Sequence, residues 1–104
     1  MKKKLGVSHD VAMVRRLRKD SQFAAEYMRA ALEEGDEEQD GAQVLLIALR
    51  QLAQARGIAK VAKAAGIERE SLYRALSARC NPRLSTLFAV TKAIGLRLTV
   101  EAAT

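Results

Sequence analysis

One segment, residues 61–76, restricts the possible folds of this chain more than any other. It reads VAKAAGIERESLYRAL. Two short helices that cross at a steep angle require a small residue at the crossing, a tight turn and an apolar residue in the angle between them. Ala62, Gly66 and Ile67 meet these needs in order, because glycine adopts the positive φ of a tight turn without steric cost. The spacing therefore predicts two helices joined by a turn at Gly66.

The second helix of this pair, which we call the reading helix, has two different faces. Leu72, Ala75 and Leu76 recur at helical spacing and predict its buried side. The opposite side is predicted to be an outward face with Arg69, Glu70, Tyr73, Arg74 and Ser77. A short helix with such a face fits the DNA major groove. A purely structural corner of two helices shows the same offsets, so the segment alone leaves both interpretations open.

Positive charge is concentrated around this segment. Residues 56–83 contain seven cations and two acids, while the whole chain of 104 residues carries a net charge of +6. Nucleic-acid faces show this asymmetry, because cations that neutralise phosphates supply most of the non-specific affinity. The sequence therefore predicts a double-stranded DNA operator as a partner, contacted by Lys60, Lys63, Arg69, Glu70, Ser71, Tyr73, Arg74, Ser77, Arg79, Asn81 and Arg83. Four of these are predicted to contact phosphates: Lys60, Lys63, Arg79 and Arg83.

Two helices are predicted before residue 36. Residues 1–7 are expected to form a loose basic arm, and the first helix is expected to begin at Ser8 or Asp10. Its inner face is predicted to contain Val11, Val14 and Leu17. The second helix is expected to begin after Asp20 or Ser21 and to end at Gly35. Its buried stripe is predicted to contain Ala24, Tyr27, Met28, Ala31 and Leu32.

Residues 42–56 predict the central helix, because apolar side chains occupy most of its circumference. Its start is ambiguous between Asp36 and Ala42, where six acids occur within residues 33–40. The first helix of the pair is expected to follow Gly57, over Ile58–Ala65. After residues 77–80, predicted to be a loop, Asn81 and Pro82 have the character of a helix cap and first position. The inner face of that last helix is predicted to contain Leu84, Leu87, Phe88, Thr91 and Ile94.

The end of the chain changes period. In residues 96–101, Leu96, Leu98 and Val100 alternate with polar residues, which is typical of a half-buried strand. A lone strand has unpaired backbone groups, so we expect it to pair with its own copy and make these three residues the homodimer contact. Capture of an edge strand from a protein partner is the competing interpretation.

The chain is therefore predicted to be one all-α domain over residues 1–104. Its parts are two N-terminal helices in 1–35, a phage-repressor-like helix-turn-helix core in 42–95 and a short β-strand in 96–101. The single cysteine, Cys80, excludes an intramolecular disulfide and is typical of a cytoplasmic protein. His9, the single histidine, has no partners at metal-ligand spacing. No catalytic residue, metal, cofactor or membrane span is predicted.

Five stretches together are similar to one family, the addiction-module antidote proteins, which are HigA-like antitoxins with a phage-repressor-type helix-turn-helix. These stretches are FAAEYMRAALEEGD, LIALRQLAQARG, AGIERESLYRALS, NPRLSTLFAVTKAIG and LRLTVE, and they cover most of residues 23–101. The resemblance implies a cytoplasmic protein that binds and represses its own operator as a dimer and pairs with a RelE/HigB-like toxin. The chain departs from the family pattern at Glu68, where relatives often have the better cap Ser.

Two other functions remain open at this point. The first is a helix-turn-helix repressor that has no toxin partner. The second is a protein-interaction module that only neutralises a toxin.

Overall fold

Six helices follow one another in the part of the chain that the structure describes. The computed structural model describes the backbone of residues 2–37, 41–77 and 81–103, and the side chains of residues 11–33, 42–77 and 81–103. The helices are α1 Lys2–Lys19, α2 Ser21–Glu37, α3 Gly41–Arg56, α4 Ile58–Ala65, α5 Arg69–Ala75 and α6 Leu84–Ile94. The predicted helical fold is therefore confirmed for the described residues. None of the helices there combines the length and the apolar character that crossing a bilayer requires.

Helix α3 lies at the centre of the fold. It packs against α1, α2, α4 and α6. Leu49, Leu52 and Ala53 are at most 1% exposed, so this helix supplies the middle of the core. One continuous cluster of buried side chains runs from Leu17 in α1 to Ile94 in α6. The predicted central position of this helix is confirmed.

The first helix differs from the prediction at its beginning. Helix α1 begins at Lys2, so the expected loose arm over residues 1–7 is wrong where the backbone is described. Once a helix exists, each added residue contributes one hydrogen bond, which favours extension through lysine and leucine. Leu17 is buried and Val14 is half-buried, but Val11 is 49% exposed and does not belong to the inner face.

The second helix begins as predicted and ends later. A carboxylate oxygen of Asp20 accepts a hydrogen bond from the backbone N–H of Phe23 at 3.0 Å, which confirms Asp20 as the cap. The helix passes through Gly35 and ends at Glu37, because an interior glycine costs only about 1 kcal/mol relative to alanine. Leu32 is 40% exposed and was wrongly assigned to the buried stripe.

Aromatic contacts join α2 to its neighbours. The guanidinium carbon of Arg16 in α1 lies 3.8 Å from the ring centroid of Phe23. The Phe23 and Tyr27 rings are 6.2 Å apart. The Tyr27 hydroxyl donates to the side-chain oxygen of Gln51 in α3. These contacts fix α2 against both α1 and α3.

Helix α6 begins two residues later than the sequence predicted. Its cap is Arg83, whose backbone is extended with φ −66° and ψ 150°, and the helix begins at Leu84. The expected cap at Asn81 and first position at Pro82 are therefore wrong. The φ that proline imposes suits extended backbone as well as a first helical turn, and it restricts the preceding residue to extended conformations.

The buried face of α6 also differs from the predicted one. Val90, Thr91 and Ile94 are at most 4% exposed and face the core, whereas Leu84 is 66% exposed and Phe88 is 52% exposed. The assignment of Leu84 and Phe88 to the inner face is wrong. Helical spacing predicts one apolar stripe, but Val90 makes the apolar surface of this helix wider than that stripe. Helices α3 and α4 cover only part of this apolar surface.

The predicted terminal β-strand is not present. Residues 96–103 have no regular secondary structure, and the described part of the chain offers no neighbouring strand for the hydrogen bonds that a strand requires. The alternation still orients the first side chains, because Leu96 and Leu98 are half-buried while Arg97 is exposed. Val100 is 96% exposed. The homodimer contact predicted for these three apolar residues stays a prediction.

Candidate nucleic-acid interface

The turn between α4 and α5 has the geometry that the sequence predicted. Gly66 lies in the left-handed region, with φ 72° and ψ 29°. The N–H of Ile67 donates to the carbonyl oxygen of Ala62 at 3.0 Å, and the N–H of Gly66 donates to that of Lys63 at 3.2 Å. This pair of bonds is a Schellman motif, which ends a helix and redirects the chain. We call the two helices and this turn the α4–α5 unit.

Buried leucines fix the orientation of α5. Leu72 is 0% exposed and Leu76 is 1% exposed, so the inward side of α5 is buried in the core. The opposite side is exposed, and Tyr73 there is 42% exposed. The exposed positions of α5 are Arg69, Glu70, Ser71, Tyr73 and Arg74. The structure thus brings five of the predicted DNA-binding residues together on one helix.

The first turn of α5 has no side-chain cap. Glu68 has extended backbone, with φ −72° and ψ 150°, and its side chain makes no capping hydrogen bond. Its carbonyl oxygen accepts the first helical bond from the N–H of Leu72 at 2.9 Å. The side chain of the cap residue therefore satisfies none of the N–H groups in the first turn of this helix.

Further cations flank the reading helix. Lys60 and Lys63 lie on the exposed side of α4, whose other side buries Ile58, Val61 and Ala62. Arg83 and Asn81 are exposed in the segment before α6, and Ser77, two residues after the end of α5, is half-buried. Arg79 falls outside the described residues.

One arginine joins the helix before the α4–α5 unit to the helix after it, and we call this contact the Arg56 clasp. The Nε atom of Arg56, the last residue of α3, donates to the carbonyl oxygen of Ile94 at the end of α6 at 2.6 Å. A similar bond joins Nε of Arg18 in α1 to the carbonyl oxygen of Ala55 at 2.9 Å. The sequence signal for such a bond is a basic residue in the last turn of a helix, because its side chain can donate hydrogen bonds to the free carbonyl groups at helix ends.

Gly95, which directly follows the accepting residue Ile94, is a second glycine with left-handed backbone. Gly95 has φ 95°, and the N–H of Leu96 donates to the carbonyl oxygen of Thr91 at 3.1 Å. A Cβ placed on Gly95 would lie 2.1 Å from Nη2 of Arg56. The guanidinium of Arg56 therefore occupies the space that a side chain at residue 95 would need. With α3 and α6 joined in this way, the helix before the α4–α5 unit and the helix after it are held together.

Within the described residues no group of three or more histidine, cysteine, aspartate or glutamate side chains is arranged to hold a metal ion. The chemistry of the α4–α5 unit is that of an exposed surface of guanidinium, ammonium, hydroxyl and phenol groups. Such groups donate hydrogen bonds to phosphates and to the edges of bases.

Comparison with known proteins identifies relatives of the chain. A protein of Haemophilus influenzae described as uncharacterized is 41% identical over 64 residues, which are 62% of this chain and 66% of the relative. No solved structure matches. Residues 8–102, which include all of α2 to α6, match the family described as probable addiction module antidote protein. The chain therefore belongs to this family of addiction module antidote proteins.

Proposed function

We propose that this chain is the antitoxin of a toxin–antitoxin pair and that it represses its own operon by sequence-specific binding to operator DNA. In this proposal it is a HigA-like protein whose α4–α5 unit is a phage-repressor-type helix-turn-helix. It binds as a homodimer in the cytoplasm, its toxin is of the RelE/HigB-like class, and it acts by binding without catalysis. Family membership supports the antitoxin role.

One observation carries the DNA-binding part of the proposal. Helix α5 buries Leu72 and Leu76 almost completely and leaves two arginines and a tyrosine exposed on the other side. Exposed arginines alone occur on many surface helices, and the tyrosine between them is what fits a face that contacts bases. An α-helix fits the major groove, and arginine pairs with the O6 and N7 atoms of guanine. The surrounding charge favours DNA over a neutral partner, because residues 56–83 contain seven cations and two acids.

The decisive test is binding to the DNA upstream of the gene, measured by gel retardation. Arg69→Ala and Arg74→Ala should each weaken specific binding by about 1–3 kcal/mol, the discrimination that a bidentate arginine–guanine contact provides. Arg29→Ala is a matched control, because Arg29 is an exposed arginine on α2 and lies outside the α4–α5 unit. All three variants should have the melting temperature of the wild type. If Arg69→Ala and Arg74→Ala bind as well as Arg29→Ala, α5 does not read the operator.

The flanking cations have a different expected signature. Lys60, Lys63 and Arg83 are exposed and flank the reading helix in the sequence, so we propose that they contact phosphates, with Arg79 as the fourth member predicted from the sequence. Removing one phosphate contact should reduce the slope of log K against log salt concentration by about 0.9. An Arg69→Ala variant should weaken binding to the operator more than binding to unrelated DNA. Alanine variants of the flanking cations should weaken both to a similar extent. Unchanged salt slopes in all four variants would exclude these residues from the interface.

The antitoxin role requires a separate experiment. Expression of the short neighbouring reading frame should arrest growth, and co-expression of this chain should restore it. Restoration by the Arg69→Ala, Arg74→Ala double variant would show that neutralisation does not need DNA binding. A neighbouring frame that is harmless, together with intact operator binding, would indicate a repressor without a toxin. Neutralisation without any operator binding by the wild type would indicate a module that only binds the toxin.

A further inference from the structure

A cavity of about 160 Å³ lies among the last turns of α1, α3 and α6 and the first turn of α2, and we call it the α1–α3 cavity. Leu17, Leu52 and Ile94 supply much of its apolar wall. One water molecule occupies ~30 Å³ in the liquid, and pockets for drug-sized ligands begin at ~300 Å³. The α1–α3 cavity therefore has room for a small ion or a short organic acid.

Three cations and a hydroxyl group line the same cavity. Arg18 and Lys19 come from α1, Arg56 comes from α3, and Ser21 is the first residue of α2. No acidic side chain is among the described residues that line it. Asp20, which lies between two lining residues in the sequence, uses its carboxylate to cap α2. The lining itself therefore provides positive charge without a carboxylate to balance it.

The two guanidiniums are held in place and still have donors to offer. Nε of Arg18 donates to the carbonyl oxygen of Ala55 at 2.9 Å, and Nε of Arg56 donates to that of Ile94 at 2.6 Å. A guanidinium has five N–H donors, and each of these bonds uses one of them. Nη2 of Arg56 lies against Gly95, which is itself a lining residue. Because both arginines are already fixed, binding an anion costs them little further entropy.

Capping of helix ends explains only part of this arrangement. One donor from each arginine is enough to satisfy a carbonyl group near the end of α3 or α6. Capping does not explain why a third cation and a serine hydroxyl line the same apolar cavity. An apolar cavity with a few polar groups is typical of a small-ligand site. Here the charged groups are all cations, and guanidiniums match the paired oxygens of a carboxylate or phosphate.

We propose that the α1–α3 cavity binds a small oxyanion, a phosphate or a carboxylate group, between the guanidiniums of Arg18 and Arg56. Lys19 adds charge, and the hydroxyl group of Ser21 can donate a further hydrogen bond. The cavity contains none of the residues proposed to contact DNA, so this site does not depend on the proposed function. Because the anion binds the folded chain, it should also raise the melting temperature.

The test is isothermal titration calorimetry of the full chain without DNA, with inorganic phosphate and butyrate as separate probes at constant ionic strength. Arg18→Gln should raise the dissociation constant of the bound probe about tenfold or more, because it removes charge-assisted hydrogen bonds. Lys19→Gln should raise it less and keeps every hydrogen bond of Arg18 and Arg56. Arg29→Gln on α2 and Arg74→Gln on the reading helix remove exposed arginines outside the cavity, so they should leave it unchanged.

The two probes distinguish the possible sources of the oxyanion. Tighter binding of inorganic phosphate identifies a phosphate site, and tighter binding of butyrate identifies a site for an organic acid whose apolar body contacts Leu17 and Leu52. In either case the bound probe should raise the melting temperature of the wild type and of Arg29→Gln, and not that of Arg18→Gln. A general salt effect on stability would raise all three alike.

Four results would overturn the proposal. The first is a wild-type chain that shows saturable binding of neither probe. The second is an affinity that stays at the wild-type value in both Arg18→Gln and Lys19→Gln. The third is loss of binding in Arg74→Gln, which would place the anion on the reading helix. The fourth is a smaller salt slope of operator binding in Arg18→Gln, which would show that this arginine contacts the DNA backbone instead.

Discussion

Two glycines with left-handed backbone provide a matched test of the Arg56 clasp. Gly66 has φ 72° and Gly95 has φ 95°, and each ends a helix in the same way. A Cβ at Gly66 would meet nothing within 4 Å, whereas a Cβ at Gly95 would lie 2.1 Å from Nη2 of Arg56. Substitution by alanine therefore causes backbone strain at both sites, but displaces a neighbour only at Gly95.

The magnitudes follow from these contacts. Left-handed backbone costs a residue with a side chain about 1–2 kcal/mol, so Gly66→Ala should destabilise the protein by that amount. Gly95→Ala should add the loss of the bond from Arg56 Nε to the Ile94 carbonyl oxygen. Because Arg56 is exposed, we assign that bond about 1 kcal/mol, the value of an ordinary intramolecular hydrogen bond. For a chain of this size the additional loss corresponds to a melting temperature about 4–8 °C lower for Gly95→Ala than for Gly66→Ala.

A double-mutant cycle measures the clasp directly. Urea or thermal unfolding gives the free energy of unfolding for the wild type, Gly95→Ala, Arg56→Met and the double variant. In the Arg56→Met background the cost of Gly95→Ala should fall to that of Gly66→Ala, because the displaced hydrogen bond is already absent. If Gly95→Ala costs no more than Gly66→Ala, or if its additional cost persists in the Arg56→Met background, the bond from Arg56 to Ile94 does not stabilise the fold.

Two further predictions concern helix caps. Asp20→Ala should lower the free energy of unfolding, measured by urea titration, by about 0.5–2 kcal/mol, because the Asp20 carboxylate accepts a hydrogen bond from the Phe23 N–H. Asp20→Asn should keep most of the stability of the wild type in the same titration. Glu68→Ser should raise stability by a few tenths to about 1 kcal/mol, because the Glu68 side chain makes no capping bond and serine at the same extended backbone can make one; a Glu68→Ser variant that melts at or below the temperature of Glu68→Ala would contradict this.

The reading unit could be predicted in detail because its determinants are close together in the sequence. The bond from the N–H of Ile67 to the carbonyl oxygen of Ala62 spans five residues. One glycine, one small residue and one apolar residue within that span select the turn almost alone. The same locality makes Asp20 recognisable as a cap, because its partner is the N–H of Phe23, three residues later.

Features that depend on distant residues could not be predicted in the same way. Arg56 reaches Ile94 across 38 residues, and Arg18 reaches Ala55 across 37. Whether an arginine at a helix end bonds to a carbonyl or extends into solvent depends on which helices pack beside it. Hydrophobic spacing identifies neither partner, so the sequence predicts neither of these two bonds.

Helix α6 shows why the apolar pattern could not distinguish residues buried in the core from apolar residues on the surface. Leu84 and Phe88 fall at the same spacing as buried residues. This spacing shows only that they belong to an apolar stripe of the helix. It does not record whether the same chain or a second copy covers them. Within one chain α3 and α4 cover Val90, Thr91 and Ile94 and leave Leu84 and Phe88 exposed. Val11 and Leu32 differ from the prediction in the same way, so helical spacing identifies an apolar side chain without identifying what covers it.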